Sequence, residues 1–194
     1  ESGGGSSFLG NYFNYLSSPF TVLIFLFDKA DISFAITALV IVKCMASAVT
    51  FTYYLKASQK RHSYVSAAFG VFYAFCAYFL AYYWNIMWID GMILLPLIVL
   101  GIERLIHNGK GALYTGALAV LLLSNYYMGY MACIFSVLYF LAYFLMTAKP
   151  RPEKSGEKLT TREKYSAKNL MRHPFLNRCM RFAGFSLLAG GLCA

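Results

Sequence analysis

The sequence predicts an all-α integral membrane protein built as a polytopic helical bundle. Two observations carry that expectation. Of the 194 residues, 59% are hydrophobic and only 13% are charged, against roughly 25% charged in a soluble domain. The apolar residues also gather in runs of about 20, the length that crosses a hydrocarbon core of roughly 30 Å. The chain has room for about five to six such spans plus a shorter element.

Residues 1–18 read as a loop, opening on Glu1-Ser2-Gly3-Gly4-Gly5-Ser6-Ser7. Ser18-Pro19 is a helix start, because proline at the first helical position gives up no hydrogen bond. The apolar stretch it opens, 19–28, is too short to span: ten residues rise only about 15 Å. It is expected to lie in the interface. Spans then follow at about 32–55 after Asp31, 64–83 after Ser63, and 91–107 after Asp90, the last closed by Asn108-Gly109; Ser, Asp and Asn before apolar runs start helices, and Asn-Gly stops them. A single helix over 112–148 would be roughly 55 Å long. The spacing therefore predicts two spans, 112–128 and 130–148, broken near Asn125–Gly129, where glycine permits a turn. Pro96 is expected to kink the third span by removing a backbone hydrogen bond. Residues 149–173 read as a basic linker and 174–194 as the start of a further span. With no initiator methionine and an apolar run at its end, the chain reads as a fragment of a longer protein.

The bases set an orientation. Of 17 Lys and Arg, 15 fall in loop 56–62, at Arg104 and Lys110, or within 149–181, which all lie on one side of the drawn topology. The positive-inside rule makes that side, with linker 149–173, cytoplasmic and the Asp90 loop extracytoplasmic. The net charge of +9 then reflects topology and attraction to anionic lipid, not nucleic acid. The five cysteines lack C-x-x-C spacing and read as free thiols. The three histidines lie in basic loops without metal-ligand spacing, so no metal site is expected.

Three groups of residues could carry chemistry. Trp84-Asn85-Ile86-Met87-Trp88-Ile89-Asp90-Gly91 sets a carboxylate and two tryptophans at the mouth of a span. Asp90 is the candidate catalytic acid, or equally the cap of the helix that follows. Lys43 lies about 17 Å into its span, too deep for easy snorkelling; it is a candidate for a lipid phosphate, or half of a structural ion pair. Asn11, Tyr15, Trp88, Asn125, Tyr126 and Tyr127 offer the amides and aromatic faces that hold a sugar, or an ordinary aromatic belt. Glu103 and Arg104 read as an anchor at the inner end of their span. No P-loop, G-x-S-x-G, H-E-x-x-H or D-x-D motif occurs.

Taken together, Tyr15-Leu16-Ser17-Ser18-Pro19-Phe20, Trp88-Ile89-Asp90 with Leu95-Pro96-Leu97, Gly101-Ile102-Glu103-Arg104-Leu105 and Asn125-Tyr126-Tyr127-Met128-Gly129-Tyr130-Met131 resemble, in order and spacing, the bacterial YfhO family of multi-span membrane proteins. The resemblance covers most of residues 8–145. It implies a GT-C-like fold in the bacterial cell membrane and a glycosyltransferase (a hexosyltransferase). Such an enzyme moves a sugar from a polyprenyl-phosphate carrier to a cell-envelope acceptor such as teichoic acid on the outer face. It further implies, as partners, membrane lipid, the lipid-linked sugar, and a polyprenyl-phosphate glycosyltransferase and flippase of the same pathway. A GT-C base sits in the first outer loop, which would begin upstream; Glu1 is the sole acid of its tail here and matches no family motif. A divalent metal requirement is left open. The residues alone leave two other readings standing: a transporter or flippase of lipid-linked substrates, and a non-catalytic membrane scaffold.

Overall fold

The computed structural model describes residues 17–59, 64–147 and 177–193. The expectations for Glu1, Asn11 and Tyr15, for linker 149–173 and for the start of the last helix at 174–176 lie outside these residues. Among the described residues the structure is helical throughout, with no strand, as the composition predicts.

The chain enters through a 3-10 helix, Pro19–Leu26, with Pro19 in its first turn and the Ser18 hydroxyl accepting the Phe20 N–H at 3.4 Å. β-Branched Thr21, Val22 and Ile24 have weak α preference, and the segment finds its partner by packing along the next helix. A short turn, Lys29–Asp31, leads into α1, Ile32–Gln59, 28 residues long. The second predicted span is one rod in two pieces, α2 (Tyr64–Ala74) and α3 (Ala77–Tyr82). Cys76 between them is extended at φ −64°, ψ 164°.

A turn at Ile86–Trp88 feeds α4, Ile89–Asn108. Gly109 closes it in the left-handed region, at φ 70°, with its N–H on the Leu105 carbonyl at 3.0 Å, the glycine stop expected of Asn-Gly. α5 is Ala112–Ser124, only 13 residues, or about 20 Å. It ends earlier than predicted because Asn125 turns extended, at φ −157°, ψ 108°. The Asn125 Oδ1 then accepts the Met128 N–H at 3.0 Å and starts α6, Tyr126–Thr147. Gly129 is therefore not the break; it lies inside α6, close against Leu122 of α5. The last helix, α7, covers 177–191.

Among the described residues four helical stretches are long and apolar enough to cross a membrane: Lys29–Ser58, Tyr64–Tyr82, Ile86–Asn108 and Tyr126–Thr147. α5, at 13 residues, is shorter than the span expected over 112–128. α4 is the central post: 67% of its span is buried, against 22–28% for the other three, whose large apolar side chains face outward toward lipid.

α1 and α2 run antiparallel, with Phe51 stacked on Tyr73 at 4.3 Å. α1 and α4 run parallel but offset. Lys43 meets Asp90 near the head of α4, and Tyr54 meets Glu103 near its foot. The feet of the two helices are thus level, while α1 overshoots the head of α4 by about ten residues, or about 15 Å. On the other side α4 and α5 touch at Gly101, where an added Cβ would sit 2.5 Å from the Tyr114 backbone nitrogen. α7 joins there, its Phe182 ring stacked on Tyr114 at 5.4 Å and on Phe140 of α6 at 4.4 Å.

Pro96 sits within α4 without ending it. It has no N–H to give the carbonyl four residues earlier, that of Met92, and in lipid a bare carbonyl is costly. The Tyr73 hydroxyl of α2 donates to that carbonyl at 2.9 Å. The proline thus turns a bond within α4 into a tie between α2 and α4. Tyr73→Phe should destabilise the protein by about 1 kcal/mol. In a Pro96→Ala background, where the substituted alanine supplies the missing N–H, most of that loss should vanish. Thermal unfolding of the four proteins in detergent gives the coupling, and an equal loss in both backgrounds would refute the tie.

Candidate functional site

Asp90 does not cap α4. The helix begins one residue before it, Trp88 occupies the cap position without a side-chain bond, and Asp90 lies in the first turn. Its carboxylate turns inward to Lys43 of α1: Oδ1 and Nζ are 2.8 Å apart, and both side chains are 1% exposed. The ammonium also donates to the Ile86 carbonyl at 3.0 Å and lies 5.8 Å from the centre of the Phe20 ring, a cation–π distance. Three segments of the chain thus surround one charge. The turn before α4 supplies a carbonyl, the helix itself supplies the carboxylate, and the 3-10 helix supplies the ring. Asp90 Oδ2 has no hydrogen-bond partner among the described residues and keeps its lone pairs for another donor.

The pair is electrically neutral as a unit. In this arrangement Lys43 is committed to Asp90 and presents no free ammonium to a phosphate. The expected sugar-binding residues are divided. Asn125 is buried and spends its side-chain oxygen starting α6. Trp88 is half-buried, with its ring 5.5 Å from Tyr82. Tyr126 and Tyr127 are exposed at the head of α6. The head of the bundle does gather its predicted parts: the Ser17 hydroxyl donates to the carbonyls of Leu123 and Ser124, the latter at 3.0 Å, and Gly91 faces the Met128 side chain.

Beneath this head runs an open apolar groove of about 350 Å³. The break between α2 and α3 forms one wall with Tyr73, Cys76 and Tyr78; Gly91, Met92 and Leu95 of α4 form the floor; Met128, Met131 and Phe135 of α6 form the other wall. Flexible methionines suit a wall that adapts to its occupant. The sequence reading missed this groove, because no local signal marks the α2–α3 break.

Glu103, read with Arg104 as an anchor at the inner end of the span, turns into the bundle. Glu103 is 7% exposed and its Oε1 accepts the hydroxyls of Tyr54 at 3.1 Å and Tyr139 at 2.9 Å. Arg104, by contrast, points outward and donates to the Tyr53 hydroxyl at 3.1 Å. Consecutive helical residues point about 100° apart, so neighbours in sequence meet different surroundings. Among the described residues no three His, Cys, Asp or Glu side chains come together as a metal site, and all five cysteines are free.

Removing one member of a buried ion pair strands the other charge, at a cost of about 3–5 kcal/mol, whereas replacing both by apolar groups is often close to neutral. Lys43→Met and Asp90→Leu should each lower thermal stability sharply, and the double variant should regain most of it. Unfolding midpoints of purified protein test this. Additive losses would mean that the two charges do not act as a unit.

The sequence model of one family, described as Bacterial membrane protein YfhO, matches residues 1–194. The chain is also similar to a protein of Bacillus subtilis (strain 168) named Uncharacterized protein YfhO. They are 36% identical over 72 residues, which is 37% of this chain and 8% of that relative. No solved structure matches the chain. Four apolar helices of spanning length, one of them the central post, the segment motifs in order and a family match over every residue lead to one assignment: the chain belongs to the YfhO family of bacterial membrane proteins.

Proposed function

We propose that the protein is a GT-C-like membrane glycosyltransferase that moves a sugar from a polyprenyl-phosphate carrier to a cell-envelope acceptor such as teichoic acid. The observation that carries this reading is the apolar groove of about 350 Å³ running down from the head of α4. A long isoprenoid tail needs such a channel, open to lipid and free of charge, with polar groups only at its mouth. Asp90, Trp88, Tyr126 and Tyr127 stand at that end of the bundle. Asp90, with one oxygen unspent, would accept a hydrogen bond from a sugar or acceptor hydroxyl once the head opens. Lys43 would hold the carboxylate in place for that role, and could itself meet the carrier phosphate only by leaving Asp90.

The described charges support the orientation. Asp28, Asp31 and Asp90 stand with Lys29 toward the head, while Lys56, Arg104, Lys110, Arg178 and Arg181 stand toward the foot. The foot, with linker 149–173, is then cytoplasmic and the groove mouth extracytoplasmic. A general base must take the acceptor proton, and Asp90 is the candidate for it among the described residues. A polyprenyl-phosphate glycosyltransferase and a flippase would supply the donor; a divalent metal is one means of stabilising the leaving phosphate.

A second reading has its own support. The interrupted α2–α3 rod lines the same groove, and discontinuous helices beside a pathway are a feature of transporters; the protein would then move the lipid-linked sugar without cleaving it.

The intact protein, reconstituted with a radiolabelled polyprenyl-phosphate sugar, tests both. Met131→Trp places an indole across the groove. It should raise the KM for the long-chain donor at least tenfold and leave that for a short-chain, water-soluble donor unchanged. Transfer that ignores the substitution would remove the groove from the reaction. Movement of the donor across the bilayer without transfer would select the transporter.

A further inference from the structure

The foot of the bundle holds a second cavity, polar where the groove is apolar. It measures about 230 Å³ and lies between His107, Asn108 and Gly109 at the end of α4 and Asn177, Arg178 and Arg181 of α7. Arg178 and Arg181 are three residues apart and so share one face of α7. Arg178 lies with its guanidinium 5.7 Å from the centre of the Phe144 ring. Arg181 reaches over the Gly109 backbone so closely that a side chain at 109 would collide with it.

The charge around this cavity does not balance. The C-terminus of α4 contributes about half a negative charge, less than the two guanidinium groups carry. Among the described residues the ion pair is Lys43 with Asp90, at the other end of the bundle. The nearest acid on α4, Glu103, is occupied by Tyr54 and Tyr139. The walls behind the charges are apolar, Leu105 and Ile106 of α4. On the two helices that flank this end, Met180 of α7 and Met146 of α6 are exposed, at 66% and 74%.

We infer that this cavity binds the phosphate of an anionic glycerophospholipid, with Arg178 and Arg181 on the phosphate oxygens and Asn177 offering a further donor. Paired guanidinium groups match a phosphodiester, basic pockets between membrane helices take such headgroups, and the exposed methionines give the acyl chains a surface. The assignment is independent of sugar transfer, because the groove and the Lys43–Asp90 pair lie at the opposite end.

The test uses the intact protein in nanodiscs of phosphatidylcholine alone or with phosphatidylglycerol, read by native mass spectrometry and by thermal unfolding. The wild type should retain phosphatidylglycerol at least tenfold better than Arg178→Gln/Arg181→Gln, and only the wild type should gain several degrees in Tm from it. Should the glutamine variant not fold, Arg178→Lys/Arg181→Lys keeps the charge but loses the planar fork, and intermediate retention supports the site. Inorganic phosphate added to all-phosphatidylcholine discs separates the sources; an arginine-dependent rise in Tm there keeps the phosphate site and makes its ligand soluble. Equal retention by wild type and glutamine variant overturns the inference. So does a loss of stability in Glu153→Gln/Glu157→Gln/Glu163→Gln equal to that of the arginine variant, which would give the cavity to the chain's own carboxylates.

Discussion

The contact between Lys43 and Asp90 organises the bundle. Neither charge has access to water, and lipid offers neither a partner, so each fixes where the other must be. α1 therefore lies in register with the head of α4, the turn at Ile86 must present its carbonyl to the same ammonium, and Phe20 draws the entering segment against α1. Apolar packing between helices in a membrane is only weakly selective, because lipid tails compete for the same surfaces. Polar ties supply the selectivity. The others here obey the same logic: Glu103 gathers α1 and α6 at the foot through two tyrosines, and Tyr73 covers the carbonyl that Pro96 leaves bare.

Much of this was open to reading in the sequence, and what was not has physical causes. The apolar runs, the Ser-Pro start and the Asn-Gly stop act locally, and they appear where expected. Asp90 was ambiguous because a carboxylate at the head of a helix serves as a cap or as a partner across the bundle, and local sequence looks the same in both. A signal was present: Lys43 and Asp90 carry opposite signs at otherwise apolar positions, and pairing them would have aligned the two helices. Asn125 was assigned to sugar by its chemistry, although an asparagine between two apolar runs is equally a helix start, and the structure uses it so. The break at Cys76 carries neither glycine nor proline, and the groove it helps to line arises from three separate elements.

The two ends of the bundle differ in how they treat charge. At the head a positive and a negative group neutralise each other out of water. At the foot positive groups gather with no acid facing them among the described residues. A protein that handles a charged lipid at one surface and leans on charged lipid at the other would show this asymmetry. The central helix α4 connects the two ends and is the element most shielded from lipid.

The offset between α1 and α4 would let membrane thickness act on the bundle mechanically. With 20 residues α4 is about 30 Å long and matches the hydrocarbon core, whereas α1, with 28, is about 42 Å and exceeds it. Level at the foot and pinned together at Lys43, the two cannot both lie flush with one bilayer surface. A thicker membrane would favour α1 upright, with Ile32 and Phe34 wrapped in acyl chains; a thinner one would tilt it and lever its midpoint against Asp90. The ion pair would be the fulcrum of that lever, at the contact that sets α1 against the head of α4.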